Sequence, residues 1–227
     1  QGVRGSDMVF AGDSAGGNLV FALALYLRDH GLELPAGLCA LSPVGALDDS
    51  LPSRKERADR DCIIGADFTE EMQITYIGDH DVRAPYLSPI YGDFTGLPPI
   101  WMCVGTEEVL YDDAFALQAA AQNKGIPVEL LIGKGMCHVY PMFPDRQSKI
   151  AVKRMRNFIE NLLRISKSFF LRDSSGKRDY NQSAPLAAGF HLQKNLLWPE
   201  QVFLQAEPPA GLVVLIIFPW RKIGNAL

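Results

Sequence analysis

The pentapeptide Gly12-Asp13-Ser14-Ala15-Gly16 places the strongest constraint on how this chain can fold. It follows a short apolar run at residues 8–11 and precedes an apolar helical stretch at residues 18–30. A serine at such a strand-to-helix junction sits on a sharp turn that needs glycines on both sides and lifts the hydroxyl clear of the sheet. The segment therefore predicts a nucleophile elbow with Ser14 as the nucleophile. The alternative is a glycine-rich turn with a phosphate-binding or structural role, although the glycines lack the G-x-G-x-x-G spacing of dinucleotide-binding turns.

Short apolar runs alternate with amphipathic stretches from Ser6 to Ile165. The predicted strands are residues 8–11, 38–41, 99–104 and 127–132, and the main predicted helices are residues 18–30, 112–124 and 147–165. Gly31 and Gly125 follow two of these helices as C-terminal stops. Apolar residues in the last helix recur near the helical period. This alternation predicts an α/β fold with a mostly parallel sheet and helices on both faces.

Two segments depart from this alternation. Residues 45–95 are rich in charged and turn residues, which predicts an irregular excursion with one or two short helices, one of them at residues 69–76. Residues 166–227 carry a net charge of +3, against −7 for residues 1–165, and show no sustained periodicity. This tail is not expected to continue the sheet, and low order is predicted from residue 166 to about residue 210. Three interpretations stay open for it: a small appended element, a disordered segment, or translated sequence foreign to the domain.

Composition and charge exclude several classes of function. The formal net charge of −4 gives no general attraction to nucleic acid or to anionic membranes. The apolar run at residues 211–218 is far shorter than the roughly 20 residues a membrane-spanning helix needs. The four cysteines (Cys39, Cys62, Cys103 and Cys137) lack metal-binding spacing and are too sparse for a disulfide scaffold. They are interpreted as buried free thiols in a reducing compartment, which favours a cytoplasmic protein.

A serine nucleophile needs a base, and the sequence offers four histidines. His30 ends a predicted helix, His80 lies in a polar loop, and His191 lies in the tail. His138 follows the predicted strand at residues 127–132, so it lies on a loop at the sheet edge where α/β active sites form. His138 is therefore the predicted base, and the other three are interpreted as solvated or structurally satisfied histidines.

The base in turn needs a carboxylate that holds its tautomer and stabilises the imidazolium. The loop after the predicted strand at residues 99–104 offers Glu107, Glu108, Asp112 and Asp113. An acid from this loop gives the chain order serine, acid, histidine that is found in α/β-hydrolases. Glu108 is the predicted acid. The other three carboxylates are the alternatives, and surface solvation is the usual fate of such groups.

Several segments together resemble the hormone-sensitive-lipase-like family of α/β-hydrolases, the bacterial carboxylesterase group. The matching segments are GDSAGGNL (12–19), YLSP (86–89), GLPP (96–99), VGTEEVLYDDA (104–114) and GMCHVYPMF (135–143), in the family's order and spacing. The resemblance covers about residues 6–165 and places the family's nucleophile on Ser14 and its histidine on His138. The family's acid, usually Asp in an Asp-Pro-Leu context, falls on Glu108 of Glu-Val-Leu. The resemblance implies a serine carboxylesterase that acts on short- to medium-chain esters without a metal or organic cofactor.

The chain lacks the His-Gly-Gly-Gly loop that members of this family carry upstream of the nucleophile. The resemblance implies an oxyanion hole formed by the Ala15 N–H together with donors from that upstream loop. The chain, which begins at Gln1, is therefore interpreted as the C-terminal part of an N-terminally truncated α/β-hydrolase domain. Without the upstream strands, the predicted strand at residues 8–11 is expected to have an unpaired edge that favours aggregation.

Two other functions remain as alternatives to an active esterase. Some relatives of the family are hormone receptors that lost the catalytic residues, so a non-catalytic hydrolase-fold binding protein is one alternative. An inactive fragment of an esterase is the other. The presence of both Ser14 and His138 favours the esterase. The expected partner is a small-molecule ester, with no nucleic acid and no stable membrane span, and homo-oligomerisation is left open.

Overall fold

The computed structural model describes residues 4–65, 67–170 and 213–217, with side chains for residues 4–65 and 67–162. The strands are β1 (Met8–Asp13), β2 (Gly37–Leu41), β3 (Ile100–Gly105), β4 (Val128–Gly133) and β5 (Val213–Ile217). The helices are α1 (Ala15–Asp29), α2 (Ser53–Glu56), α3 (Phe68–Met72), α4 (Tyr111–Gln122) and α5 (Arg146–Phe170). All strand pairs are parallel, and the strand order is β4-β3-β2-β1-β5.

The sheet is covered on both faces, because successive residues of each strand point to opposite sides. On one face Phe10, Ala40 and Met102 pack against α1 and α4 in one core cluster. On the other face Ala11 and Trp101 join a second cluster that includes residues of α5. The α/β fold with a parallel sheet and helices on both faces, predicted from the alternation of apolar runs, is confirmed.

The tail contributes a strand that the sequence interpretation missed. β5 pairs with β1 in parallel, from Met8 opposite Val213 to Gly12 opposite Ile217. The expectation that the edge of β1 is unpaired is therefore wrong, and so is the expectation that no part of the tail continues the sheet. The run VVLII is apolar and mostly β-branched, which suits a parallel strand with two covered faces.

Helix α5 also continues into the tail, as far as Phe170. The prediction of low order is therefore wrong for residues 166–170, because the chain there continues the helix that begins at Arg146. Residues 171–212, which include His191, lie outside the described residues, and so do residues 218–227. The interpretation of those parts of the tail stays a prediction.

The excursion at residues 45–95 is irregular and contains short helices, as predicted. Helix α3 continues into a π-helical turn at Gln73–Ile77, and a 3₁₀ turn follows at Pro89–Tyr91. A small apolar cluster, which includes Ile64 and Ile77, packs the excursion against Val109 and Leu110 of the loop after β3. The excursion is thereby anchored beside the loop that carries the candidate acid.

The cysteines divide into two groups. Cys39 and Cys103 are buried in the core beneath α5, as expected. Cys62 is exposed and Cys137 is half-buried, so the expectation that all four thiols are buried is wrong. Cys62 follows α2 in the excursion and Cys137 lies on the loop after β4, where neither residue enters the sheet.

Within the described residues, no helix combines the length and the apolar character that a bilayer crossing requires.

Candidate active site

Ser14 lies at the turn between β1 and α1 in a strained backbone conformation, with φ 54° and ψ −122°. This region is rarely occupied by residues other than glycine, at a cost of roughly 1–3 kcal/mol. The turn leaves no room at the flanking glycines, because a Cβ on Gly12 would collide with the carbonyl of Gly16 and one on Gly17 would lie 2.9 Å from Pro43. The Ser14 N–H donates to the carbonyl of Leu41 at 2.9 Å, which ties the elbow to β2. The local geometry is that of a sharp strand-to-helix turn, as the sequence predicted, and the role of Ser14 as nucleophile stays a prediction.

Helix α1 begins directly after Ser14, three residues earlier than the sequence pattern predicted. Gly16 and Gly17 form its first turn, so their low helix propensity concealed the true start. N–H groups in the first turn of a helix have no intrahelical acceptor and carry partial positive charge. The N–H of Ala15 therefore lies where it can donate to an oxygen bound next to Ser14.

Glu108 and His138 are joined by a hydrogen bond of 2.8 Å between Glu108 Oε2 and His138 Nδ1. Both side chains are buried, with 0% and 5% exposure respectively. The second carboxylate oxygen of Glu108 accepts from the Ser42 hydroxyl at 2.8 Å and from the Gly105 N–H at 2.5 Å. A buried carboxylate needs such partners. These bonds fix the orientation of Glu108. Because His138 Nδ1 bonds to Glu108, the other ring nitrogen, Nε2, is the one left for a reacting group.

The two loops that carry these side chains follow neighbouring strands, β3 and β4. Their close approach depends on Gly105, where a Cβ would collide with the carbonyl of Met136. The Glu107 N–H donates to the same carbonyl at 3.0 Å, and the Thr106 N–H donates to Gly133 at 2.9 Å. Backbone contacts therefore place the acid loop (residues 106–110, after β3) against the histidine loop (residues 134–139, after β4).

Ser42 is a site residue that sequence reasoning missed. It follows β2, has a positive φ of 48°, and donates from its hydroxyl to Glu108. The same hydroxyl accepts the N–H of Val139 at 2.9 Å, so it connects the acid to the backbone directly after His138. The available signal was its position after a buried strand, at the edge where Ser14 and Glu108 were also predicted.

The other candidate acids have different partners. Glu107 is partly exposed and pairs with Arg60 at 3.3 Å. Asp112 accepts the Ser53 N–H at 2.8 Å. Asp113 is fully buried and pairs with Arg54 at 2.6 Å. Glu108 is the member of this group that contacts His138.

The structure also places the remaining histidines. His30 follows α1, where its Nδ1 lies 2.8 Å from the carbonyl of Tyr26 and its ring stacks on the Tyr26 ring at 3.9 Å. His80 is exposed in the excursion. Both positions agree with the interpretation of these histidines as structural or solvated.

Asp13 is a second titratable group beside the site. Burial raises its pKa to about 6, and attraction to His138 partly opposes that increase. Its Oδ1 atom is buried and has no hydrogen-bond partner among the described residues. Ionisation of Asp13 in the folded protein is therefore costly, although attraction to His138 offsets part of that cost.

Replacing Asp13 by asparagine is expected to change the pH dependence of stability. The folded pKa of about 6 lies above the ordinary value of 3.8, so the stabilising contribution of Asp13 is complete below pH 3.8 and is lost as the pH rises through about 6. The free energy of unfolding of Asp13→Asn, relative to that of the parent, should therefore rise as the pH is raised from 4 to 8, by at most about 3 kcal/mol. Denaturant unfolding at both pH values measures this. The exposed Asp59→Asn is the control, and an equal effect of Asp13→Asn at both pH values would contradict the prediction.

Comparison with known proteins places the chain in a family. A family model described as the alpha/beta hydrolase fold matches residues 1–142. The chain belongs to this family of α/β-hydrolases.

Among its relatives, an acetyl-hydrolase of Streptomyces hygroscopicus is 38% identical over 156 residues, which are 67% of this chain and 52% of the relative. An esterase of Acinetobacter venetianus is 32% identical over 147 residues, which are 63% of this chain and 48% of the relative. The crystal structure of a hormone-sensitive lipase from a metagenome library matches with a TM-score of 0.67 and 38% identity, over 69% of this chain and 54% of that one. The resemblance to hormone-sensitive-lipase-like esterases is confirmed. The chain spans about half the length of the curated relatives it matches.

Proposed function

We propose that this chain supplies the nucleophile, acid and base of a serine carboxylesterase that acts through an acyl-enzyme. The observation that carries the proposal is the buried hydrogen bond between Glu108 and His138, at the same sheet edge as the strained elbow of Ser14. The names acetyl-hydrolase, esterase and hormone-sensitive lipase among its relatives support ester hydrolysis as the reaction class.

The proposed reaction begins when the Ser14 hydroxyl attacks the carbonyl carbon of the ester. His138 takes the hydroxyl proton on Nε2, while Glu108 on Nδ1 holds the tautomer and stabilises the imidazolium. His138 then donates this proton to the departing alcohol, which leaves the acyl group on Ser14. A water molecule attacks the acyl-enzyme and His138 takes its proton. His138 then returns this proton to the Ser14 oxygen as the bond to the acyl group breaks and the carboxylic acid is released.

The tetrahedral intermediates of both steps carry a negative oxygen that needs hydrogen-bond donors. The N–H of Ala15, at the start of α1, is the donor this chain supplies. The family resemblance implies further donors from a His-Gly-Gly-Gly loop, which is absent from this sequence. Loss of one such donor costs roughly 10²–10³ in kcat. The activity is therefore proposed for a protein of the relatives' full length, and this chain provides three of its reacting residues.

The substrate class is proposed to be esters of short to medium acyl chains. p-Nitrophenyl acetate, butyrate, octanoate and palmitate would be compared on this chain and on a version extended upstream with the corresponding part of the Streptomyces acetyl-hydrolase. We expect acetate or butyrate to give a kcat/KM at least about tenfold above that of palmitate, which corresponds to more than about 1.4 kcal/mol of transition-state binding. A burst of p-nitrophenol before steady state would report the acyl-enzyme.

Two outcomes would overturn parts of this proposal. A preference for palmitate would contradict the substrate class. If neither version hydrolyses any ester or reacts with a fluorophosphonate probe, a non-catalytic hydrolase-fold binding protein becomes the better account.

A further inference from the structure

Two cysteines from distant parts of the chain meet beside the candidate base. Cys62 is exposed in the excursion between α2 and α3, and Cys137 is the half-buried residue directly before His138. Their side chains are close enough to interact with each other. The chain between them contains 74 residues, so the contact is created by the fold and not by sequence proximity.

Hydrogen bonds to the acid loop hold both sides of this thiol pair. Asp61, next to Cys62, accepts the N–H of Val109 at 2.9 Å. The other carboxylate oxygen of Asp61 accepts the N–H groups of Ile63 and Ile64, at 2.9 and 3.0 Å, which fixes the backbone around Cys62.

The histidine side of the pair is held by the same loop. His138, next to Cys137, bonds to Glu108 at 2.8 Å. The carbonyl of Met136, on the other side of Cys137, accepts the N–H of Glu107 at 3.0 Å. The acid loop therefore fixes the backbone next to each thiol, and their contact does not rest on the side chains alone.

We propose that Cys62 and Cys137 are a redox modification site, which forms a reversible disulfide between the excursion and the loop that carries His138. The oxidant is a low-molecular-weight disulfide such as oxidised glutathione. The thiolate of the exposed Cys62 attacks one sulfur of the oxidant, which breaks its S–S bond and releases one reduced glutathione. Cys137 then attacks the Cys62 sulfur of the mixed disulfide, forms the protein disulfide and expels a second glutathione. The two protein protons end on the two released thiols, so two protein thiols are oxidised and one oxidant disulfide is reduced.

The other two cysteines are poor candidates for this chemistry. Burial raises the pKa of both the Cys39 and the Cys103 thiol, so they remain protonated within the core. Oxidation of the folded protein therefore begins at the exposed Cys62. Burial and the neighbouring Cys62 raise the pKa of Cys137 as well, so this half-buried thiol reacts second, from within the protein.

The disulfide has a consequence for the candidate active site, and this part rests on the proposed function. A disulfide brings two sulfurs to about 2.05 Å, closer than any hydrogen-bonded contact between thiols. Bond formation therefore pulls on Cys137, whose neighbour His138 depends on its position against Glu108. Oxidation should lower ester hydrolysis, and reduction should restore it.

The experiment treats the full chain with oxidised glutathione, blocks remaining thiols with iodoacetamide and maps the peptides without reduction. The expected result is one peptide pair linked through Cys62 and Cys137, removed by dithiothreitol, with Cys39 and Cys103 still alkylated after unfolding. Cys62→Ser should abolish the link, and the buried Cys39→Ser, as matched control, should retain it. The linked form should also melt several degrees higher, because the bond closes a long loop.

Stable glutathione adducts on Cys62 without a link to Cys137 would overturn the proposed site.

The effect on His138 is tested by ester hydrolysis, measured before and after oxidation for the parent and for Cys62→Ser. The measurement uses whichever version, this chain or the extended one, has measurable turnover. We expect oxidation to lower ester hydrolysis by the parent about tenfold or more, reversibly, and to leave hydrolysis by Cys62→Ser unchanged. A loss of this size is what a small misplacement of the catalytic base produces. A complete link with unchanged hydrolysis would overturn the effect on His138. The peptide map and the melting temperature still decide the disulfide if no ester is hydrolysed.

Discussion

Replacing Ser14 by alanine is expected to abolish ester turnover, with kcat lower by roughly 10⁴–10⁶. The reason is that no other hydroxyl is presented by the elbow between β1 and α1. Hydrolysis of p-nitrophenyl butyrate and labelling by a fluorophosphonate probe, measured in the version with the highest parent activity, check this. The variant should keep its fold, because alanine differs from serine by one oxygen atom.

The exposed Ser50 provides the matched control for this substitution. Ser50→Ala should leave both turnover and labelling close to the parent. Labelling that survives Ser14→Ala would show that the nucleophile lies elsewhere in the chain.

Replacing Glu108 by glutamine is expected to lower kcat by roughly 10³–10⁴ while KM changes little. The carboxylate accepts from His138 Nδ1, whereas a glutamine amide can present N–H groups to the same nitrogen and favour the wrong tautomer. Without the negative charge, the imidazolium formed in the transition state also loses its partner. Steady-state kinetics with p-nitrophenyl butyrate measures the loss, and circular dichroism establishes that the variant is folded.

Glu107→Gln is the control for the acid, because Glu107 is the adjacent carboxylate and pairs with Arg60 near the surface. It should retain kcat within about fivefold, since exposed ion pairs contribute at most about 1 kcal/mol. Near-normal activity of Glu108→Gln together with a large loss in Glu107→Gln would transfer the role of the acid to Glu107.

The sequence was sufficient for the parts of the molecule that have local signals. The strands at residues 8–11, 38–41 and 99–104 could be predicted because both faces of a parallel sheet are covered there, so these runs are apolar. The elbow at Ser14 could be predicted because the turn excludes side chains at Gly12 and Gly17. Glu108 was selected through chain order and family resemblance, and the structure brings it to His138.

The parts that could not be predicted depend on contacts between distant segments. Ser42 binds Glu108 and Val139, and no local pattern at Ser42 indicates either partner. Strand β5 follows a long stretch without periodicity, so its apolar run was considered only as a membrane segment. The contact between Cys62 and Cys137 likewise arises from loops that are separate in sequence.

The interlocked loops after β3 and β4 have a consequence for motion. A Cβ at Gly105 would overlap the Met136 carbonyl, and hydrogen bonds from Thr106 to Gly133 and from Gly135 to Thr106 join the same two loops. Thermal displacement of either loop therefore carries the other with it, so Glu108 and His138 travel as one body. A displacement of this body relative to the elbow of Ser14 would then change the distance from serine to imidazole while the bond between Glu108 and His138 stays intact.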